Sequence, residues 1–356
     1  MITRAELLPA CPTIELDEPC EERILELIGD GELQRAKDLV KETNFAWTPA
    51  GRFCLQYVLA QAAVVRPILR SPSRLLASSL SLQCGGEAYN PHRRIDSVGG
   101  WLVRRMVRKR SASIDLHVEE AGWEVFHTNG QEPLKVMVDP IDGTNGLING
   151  NKDQATGIAI ADTNNRFLAG AVASLVDNDL VLIENGSAKI LEFDEQNFEL
   201  SGRLLASREQ RSIDQARFAT LGRRMRLLRE TELFEDRSCP DLLILGGYGL
   251  LCVLRGQIDV MLDPFKGQPW REAILWGWMA QESGLVVTDE KGEPIDFSQV
   301  LRDAHQRFVH RQEDELSRIK MVISTHQELH DQVLERLRPR IKEGMFEEEA
   351  IYQLAA

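Results

Sequence analysis

The sequence predicts an α+β fold, and three observations support this prediction. Helical periodicity dominates the first part of the chain, short β-rich segments follow from residue 113, and strands alternate with helices after residue 215. The chain has 356 residues, 43% of them hydrophobic, which is enough for one large domain or two moderate ones. We expect an N-terminal α+β part over residues 1–200, a C-terminal α/β part over 201–345 and a tail over 346–356.

The helices of the N-terminal part come first. Residues 20–72 contain two stretches with apolar residues three and four positions apart, which is the helical period. After a loop rich in Gly, Asn and Pro, residues 95–111 return to this period. Asp96 lies near the start of this later helix, where an acid interacts favourably with the helix dipole.

The strands follow. Six short segments are rich in β-forming residues and are separated by turn residues; they read SIDLHVEE, LKVMVD, ATGIAIAD, FLAGAVASLV, DLVLIEN and AKILEF. Residues 204–215 resemble a charged crossover, and the segments after them alternate between strand and helix patterns, as in an α/β unit. An amphipathic helix over residues 326–344 closes the pattern.

Charge and cysteine content narrow the function classes. The 42 Lys and Arg residues against 55 Asp and Glu residues give a net charge of −13, which argues against a nucleic-acid polymer as partner and favours small-molecule chemistry. A basic cluster at 104–110 is either a solvated helix face or an anion-attracting site mouth. The six cysteines are scattered, and the sequence shows neither a signal-peptide pattern nor an apolar run long enough to span a membrane. We therefore expect a cytoplasmic protein with no membrane partner.

The most informative stretch is VMVDPIDGTNGLING, residues 136–150. Asp139 and Asp142 emerge where a buried strand ends, and carboxylates so close together repel each other unless a cation holds them. Mg²⁺ suits such a pair because it prefers a few carboxylates together with phosphate oxygens. Gly143 allows close approach of a bound anion, to which the amides of Gly143 and Thr144 would point. The alternative is a turn of the Asx type that only closes the strand.

The string DPIDGT at residues 139–144 resembles the signature of the inositol monophosphatase family. That family belongs to a superfamily of Mg²⁺-dependent, often lithium-sensitive phosphatases that includes fructose-1,6-bisphosphatases and 3′(2′),5′-bisphosphate nucleotidases. The resemblance implies a layered α/β/α/β/α sandwich of the sugar phosphatase type. It also implies a phosphoric monoester hydrolase, a small phosphorylated substrate and a homodimer.

Three further places carry the resemblance. The family has an acid about twenty residues before the first aspartate of the motif, and here 139 − 119 = 20 gives Glu119. It has an upstream aspartate at a helix start, which Asp96 matches. It also has Trp-Asp opening a helix, with Glu-Ala-Gly-Gly ten residues after that Asp; Trp270 and Glu282-Ser283-Gly284 are similar.

These matches imply roles for individual residues. Two or three Mg²⁺ ions would be held by Glu119, Asp139, the Ile141 carbonyl, Asp142 and Glu272. Asp96 and Thr144, together with Glu119, would be catalytic by orienting and deprotonating the attacking water. The substrate phosphate would contact four residues, namely Asp142, Gly143, Thr144 and Arg271.

The chain also departs from the family pattern. Arg271 follows Trp270, and counting ten back from Glu282 gives Glu272, which either replaces the family aspartate or merely interacts with the helix dipole. The family's small residues after the Trp-Asp become Ile274, Leu275 and Trp276, which we expect to reshape the substrate side of the cleft. Phe265 falls where inositol phosphatases place an acid that binds a substrate hydroxyl, so we expect no strong preference for inositol monophosphate. A non-catalytic, phosphate-binding member of the fold is the alternative function.

Overall fold

The computed structural model describes most of the chain in eleven segments. They cover residues 18–43, 47–70, 94–110, 112–119, 121–126, 132–143, 153–194, 196–203, 210–220, 246–310 and 318–342. Within them, the side chains of residues 94–98, 265 and 266 are among those left undescribed. The predicted 346–356 tail and the loop before residue 94 lie outside the described residues.

The chain divides into two compact units. The first consists of residues 1–163, 168–184 and 190–203, and the second of residues 164–167, 185–189 and 204–356. Each unit contains a sheet in which parallel and antiparallel pairs are mixed, together with helices. The α+β prediction is therefore confirmed. The boundaries predicted for its parts, 1–200, 201–345 and 346–356, stay predictions.

In its described residues the first unit has three helices: α1 (Glu18–Glu42), α2 (Pro49–Arg70) and α3 (Arg94–Arg108). The middle of α2 is buried almost continuously, and α2 and α3 pack on the sheet while α1 packs on both of them. Glu184 fixes the start of α2, because its carboxylate accepts hydrogen bonds from the Thr48 amide at 3.0 Å and the Thr48 hydroxyl at 2.8 Å. An anion at this position satisfies an amide donor that the first helical turn leaves open.

The sheet of the first unit has eight strands in the described part of the chain, in the order β2-β1-β3-β4-β5-β6-β7-β8. The strands are β1 (Ile114–Val118), β2 (Gly122–Phe126), β3 (Leu134–Asp142), β4 (Ala155–Ala161), β5 (Phe167–Ser174), β6 (Asp179–Glu184), β7 (Ser187–Asp194) and β8 (Glu199–Arg203). β1 and β3 run parallel, and β4 is antiparallel to β3. This arrangement places β3, which carries the DPIDGT motif, between two buried strands.

The second unit has a four-stranded sheet in its described residues, in the order β11-β12-β10-β9. Its strands and its regular helices are β9 (Phe218–Ala219), α4 (Gly246–Leu254), β10 (Val260–Gln268), β11 (Val286–Thr288), α6 (Phe297–Val309), β12 (Ile319–Ser324) and α7 (Gln327–Lys342). Helix α5 lies between β10 and β11 and has three parts: Trp270–Glu272, a π-helical segment Ala273–Trp278, and Met279–Glu282. A π-helix is wider than an α-helix and occurs rarely, so apolar periodicity alone did not reveal it.

Three elements were absent from the sequence-based prediction. β2 and β8 are the two outermost strands of the first sheet, and edge strands lack the strong apolar alternation on which strand prediction depends. Helix α6 has the expected signals, with an Asp296 side chain that accepts a hydrogen bond from the Gln299 amide at 3.0 Å and with Phe297, Leu301 and Ala304 buried. None of the described helices combines the length and the apolar character that crossing a membrane requires.

Candidate active site

The spacing of twenty residues between Glu119 and Asp139 is a consequence of strand register. β1 and β3 are parallel, and Val118 lies opposite Val138, also twenty residues apart. Glu119 follows β1 directly, and its amide donates a hydrogen bond of 3.0 Å to the Val138 carbonyl. The backbone at Glu119 is therefore tied to the backbone one residue before Asp139, and the predicted acid lies beside the predicted pair.

A β-bulge in β3 explains why two aspartates three positions apart can act together. In a regular strand, residues three apart project to opposite faces of the sheet. Here Asp139 lies opposite Gly157 and Asp142 opposite Ala155, so three steps along β3 match two steps along β4. Because residues two apart share a face, Asp139 and Asp142 also share one. Pro140 lies inside the bulge, where a residue without an amide proton is tolerated.

Two side chains from neighbouring elements hold the carbonyls of this bulge. The Thr156 hydroxyl on β4 donates to the Asp139 carbonyl at 3.2 Å, and the Gln61 amide on α2 donates to the Pro140 carbonyl at 3.0 Å. Thr156 and Gln61 are both fully buried. The bulge is therefore fixed from the adjacent strand on one side and from the helix layer on the other.

Gly143 ends the strand in a conformation that suits glycine. Its φ of +88° lies in the left-handed region, and an added Cβ would lie 3.1 Å from the Asp153 carbonyl oxygen. The Gln154 amide donates to the Gly143 carbonyl at 3.4 Å and to the Asp153 carboxylate at 2.8 Å. Burial raises the pKa of the Asp153 carboxyl. The turn that leads to Thr144 is thus packed tightly against residues 153–154.

The two residues predicted to handle the proton are described incompletely. The backbone of Asp96 lies in the first turn of α3, and its side chain is not described. Thr144 lies outside the described residues. Their pairing and their catalytic roles stay predictions.

The donor chemistry of the described site suits a hard cation. Asp139 is 1% exposed, and it shares a face with the half-buried Asp142, while Glu119 lies beside them in register. All three offer carboxylate oxygens, which Mg²⁺ and Ca²⁺ prefer. Within the described part of the chain, no group of three or more His, Cys, Asp or Glu residues is arranged to hold a metal ion. The described acids alone therefore do not make a complete metal site.

Arg271 and Glu272 belong to the second unit. They form the first turn of α5 with the buried Trp270, and both are half-buried. An acid in this position interacts favourably with the helix dipole, so the location fits the simpler interpretation of Glu272 as well as the metal-ligand one. The π-helical segment begins at the very next residue, Ala273.

The bulky residues that replace the family's small ones all lie in the π-helical segment. Ile274, Leu275 and Trp276 are buried, at 2% exposure or less, and the segment packs against α4, α6 and β12 of the same unit. In this unit they are core residues. Their predicted effect on the substrate side of the cleft stays a prediction.

Asp263 is a buried acid that the sequence analysis did not single out. It is 1% exposed on β10 and lies opposite Met321, whereas Gln268 lies opposite Ile319. A separation of five residues along β10 thus corresponds to a separation of two residues along β12. A fixed residue spacing is therefore an unreliable way to locate positions in this strand. Counting seven back from Glu272 reaches Phe265, within the irregular part and two residues after Asp263. The available signal was an acid that directly follows the three apolar residues Val260, Met261 and Leu262.

A separate cavity of about 500 Å³ lies within the second unit. The stacked rings of Phe167 and Trp278, with centroids 4.5 Å apart, form part of its wall. Arg166, Glu282 and the start of α6 also line it. None of the predicted metal or phosphate ligands does.

Comparison with known proteins gives a family and a fold. A model of the inositol monophosphatase family matches residues 102–341. An inositol monophosphatase (IMPase) from Thermotoga maritima shares 17% identity, with 79% of this chain and 96% of that chain covered and a TM-score of 0.53. One from Zymomonas mobilis shares 14%, with 83% and 100% covered and a TM-score of 0.53. An IMPase/NADP phosphatase complexed with Mg²⁺ and phosphate shares 17%, with 74% and 87% covered and a TM-score of 0.53.

At these identities the structural likeness shows the fold, and the family model shows the family. No curated protein sequence matches the chain significantly.

Proposed function

Since the chain belongs to the inositol monophosphatase family and is a phosphoric monoester hydrolase, we propose that it hydrolyses a small phosphate monoester with the help of Mg²⁺. The observation that carries this proposal is the bulge in β3, which turns Asp139 and Asp142 to one face beside Glu119. Carboxylates gathered in this way repel one another, and a divalent cation relieves that repulsion. The related IMPase/NADP phosphatase that holds Mg²⁺ and phosphate supports the same choice of metal.

The proposed ligands are those that the family resemblance implies. Glu119, Asp139 and the Ile141 carbonyl would hold one ion, and Asp139, Asp142 and Glu272 would hold another. When bound, Mg²⁺ would lower the pKa of a coordinated water and neutralise charge on the phosphoryl oxygens. Whether two or three ions bind is part of the proposal.

The remaining site residues would orient the reactants. Asp96, paired with the Thr144 hydroxyl, would accept the proton of the attacking water. The amides of Gly143 and Thr144 would donate hydrogen bonds to the phosphate, and Arg271 would bind it through its guanidinium group. The positive φ of Gly143 supports this arrangement, because it turns the chain sharply after Asp142.

The proposed substrate belongs to one of three classes: inositol phosphates, other sugar phosphates or nucleotide bisphosphates. One related structure holds D-inositol-1-phosphate, and another holds NADP with Ca²⁺. Because Phe265 lies where the resemblance implies an acid, we propose that the enzyme has no strong preference for inositol monophosphate. We propose Asp263 as a candidate for an acid that binds a substrate hydroxyl. Asp263→Asn tests this role, because it should raise the KM for polyol phosphates and leave the KM for aryl phosphates unchanged.

We also propose a homodimeric and cytoplasmic enzyme. Among the described residues, Cys54 and Cys252 are free cysteines, and both are buried. This fits a protein that keeps its thiols reduced. Multi-angle light scattering at micromolar concentration tests the assembly, since a monomeric mass would contradict it.

Phosphate release from a panel of esters tests the proposed function. The panel contains an aryl phosphate, inositol monophosphate, a sugar bisphosphate and a 3′,5′-bisphosphate nucleotide, each assayed with Mg²⁺ and with EDTA. We expect turnover of at least one ester, and we expect EDTA to abolish it. Turnover that resists EDTA would refute the metal dependence, and no turnover of any ester would favour the non-catalytic alternative.

A further inference from the structure

The bulge that brings Asp139 and Asp142 to one face needs support from outside its own strand. A bulge leaves one residue unpaired and interrupts the regular ladder of hydrogen bonds. The structure supplies two replacement donors for successive carbonyls, the Thr156 hydroxyl for Asp139 and the Gln61 amide for Pro140. Both donors are neutral, so they fix the backbone without competing with a cation for the carboxylates.

A glycine in helix α3, Gly99, lies directly against the Gln61 side-chain amide. A Cβ added at Gly99 would lie 2.7 Å from the Gln61 amide nitrogen, 2.7 Å from the Pro140 Cβ and 2.9 Å from the Tyr57 hydroxyl. These distances are shorter than real side chains allow, so only glycine fits between α3 and the bulge. Gly99 lies one helical turn after Asp96, so this close approach also fixes the start of α3 relative to β3.

We propose that Gln61, Thr156 and Gly99 form a positioning cluster that sets the metal affinity of the site by fixing the bulge at residues 139–142. The inference rests on the proposed function, because it concerns the same carboxylates. None of the three residues is a proposed metal ligand. Their effect passes through the backbone, which determines whether Asp139 and Asp142 point to one ion.

A purely structural role would predict a different result. If Gln61 only stabilised the fold, replacing it would lower the melting temperature and leave the metal affinity of the folded protein unchanged. If it positions the bulge, the affinity falls as well, since residues that orient metal ligands typically contribute about 10–100-fold to affinity. The two roles are therefore separated by a binding measurement on folded protein.

Lys135 provides a matched control on the same strand. Its ammonium group donates a hydrogen bond of 2.9 Å to the Thr163 carbonyl, at the end of β3 opposite to the bulge. Lys135→Met and Gln61→Met each remove one bond from a side chain to a backbone carbonyl and leave an unbranched apolar side chain. The two variants loosen opposite ends of β3, and Lys135→Met also removes a positive charge that interacts with Asp115 and Asp162.

The test measures Mg²⁺ binding to the full-length protein by isothermal titration calorimetry, with melting temperatures recorded for every variant. We expect Gln61→Met to weaken Mg²⁺ binding by about tenfold or more, and Lys135→Met to leave it within about twofold of wild type. Thr156→Val, which keeps the shape of the side chain, is the second variant if Gln61→Met does not fold. We expect it to weaken binding in the same direction.

The outcomes separate this inference from the proposed function. Wild-type affinity in both Gln61→Met and Thr156→Val, or an equal loss in Lys135→Met, would overturn the positioning role while the proposed function stands. If the wild-type protein bound no Mg²⁺ and showed no Mg²⁺-dependent turnover, the proposed function would fall, and the positioning role with it.

Discussion

Replacing Gly143 by alanine should damage the site more than the fold. The backbone at Gly143 has a φ of +88°, and a residue with a Cβ in the left-handed region costs about 1–2 kcal/mol. The new Cβ would also lie 3.1 Å from the Asp153 carbonyl oxygen, and relieving such crowding costs about 1 kcal/mol more. We therefore expect a total loss of about 2–3 kcal/mol in the free energy of unfolding.

Gly122 is a matched control for backbone strain. Its φ is +75°, and a Cβ added there would meet nothing within 4 Å. Gly122→Ala should therefore cost only about 1–2 kcal/mol, and its melting temperature should lie about 2–4 °C above that of Gly143→Ala.

Activity distinguishes the two glycines more sharply than stability. Gly143→Ala should lower kcat at saturating Mg²⁺, because relief of the contact with Asp153 moves the turn that leads to Thr144. Gly122→Ala should keep wild-type kcat. Differential scanning fluorimetry and phosphate release measure the two effects. Equal kcat in both variants would refute the proposed role of this turn in catalysis.

Three other predictions concern buried or half-buried groups. Burial lowers the pKa of His330 to about 4, so the unfolded state binds more protons than the folded state between about pH 6.5 and 4. The free energy of unfolding should therefore fall by about 3 kcal/mol as the pH drops through that window. Denaturant titrations at several pH values check this, and a His330→Gln variant should lose that part of the pH dependence. Glu272→Gln should lower activity and raise the Mg²⁺ concentration that activity requires, and Glu272→Asp should lower activity by less than Glu272→Gln does. Superimposable Mg²⁺ titrations of wild type and Glu272→Gln would mean that this acid only interacts with the helix dipole. Arg66→Met should lower the free energy of unfolding by about 3 kcal/mol, because the buried guanidinium donates hydrogen bonds to the carbonyls of Ser174 and Phe193 at 2.9 and 3.1 Å. The measurement should show a lower denaturation midpoint and an unchanged Mg²⁺ requirement for activity.

Much of the fold was predictable because its signals are local. The six strands identified from residue 113 onward and the helices around residues 20–70 and 95–108 follow from periodicity, which depends on which faces are buried. The spacing between Glu119 and Asp139 was also visible in the sequence. Its cause, the parallel register of β1 and β3, became clear only from the pairing of the strands.

The features near the predicted site that the sequence did not reveal arise from irregular backbone. The bulge in β3 depends on how β4 pairs with it, and on donors supplied by α2 and β4. The same holds for β10, where the register against β12 shifts between Asp263 and Gln268. The π-helical segment at Ala273–Trp278 has an apolar pattern that fits an ordinary helix equally well. Tertiary contacts determine these details, so they could not be predicted from motif spacing alone.

Mg²⁺-dependent phosphate release by Asp139→Asn, compared with wild type under identical conditions, tests the central claim most directly. Asp139 is the carboxylate that both proposed ions share, and the change to Asn removes its charge with little change of shape. The account predicts that wild type releases phosphate only with Mg²⁺ and that Asp139→Asn loses activity by about a hundredfold or more at any Mg²⁺ concentration, while remaining folded. Full Mg²⁺-dependent activity in Asp139→Asn would contradict it.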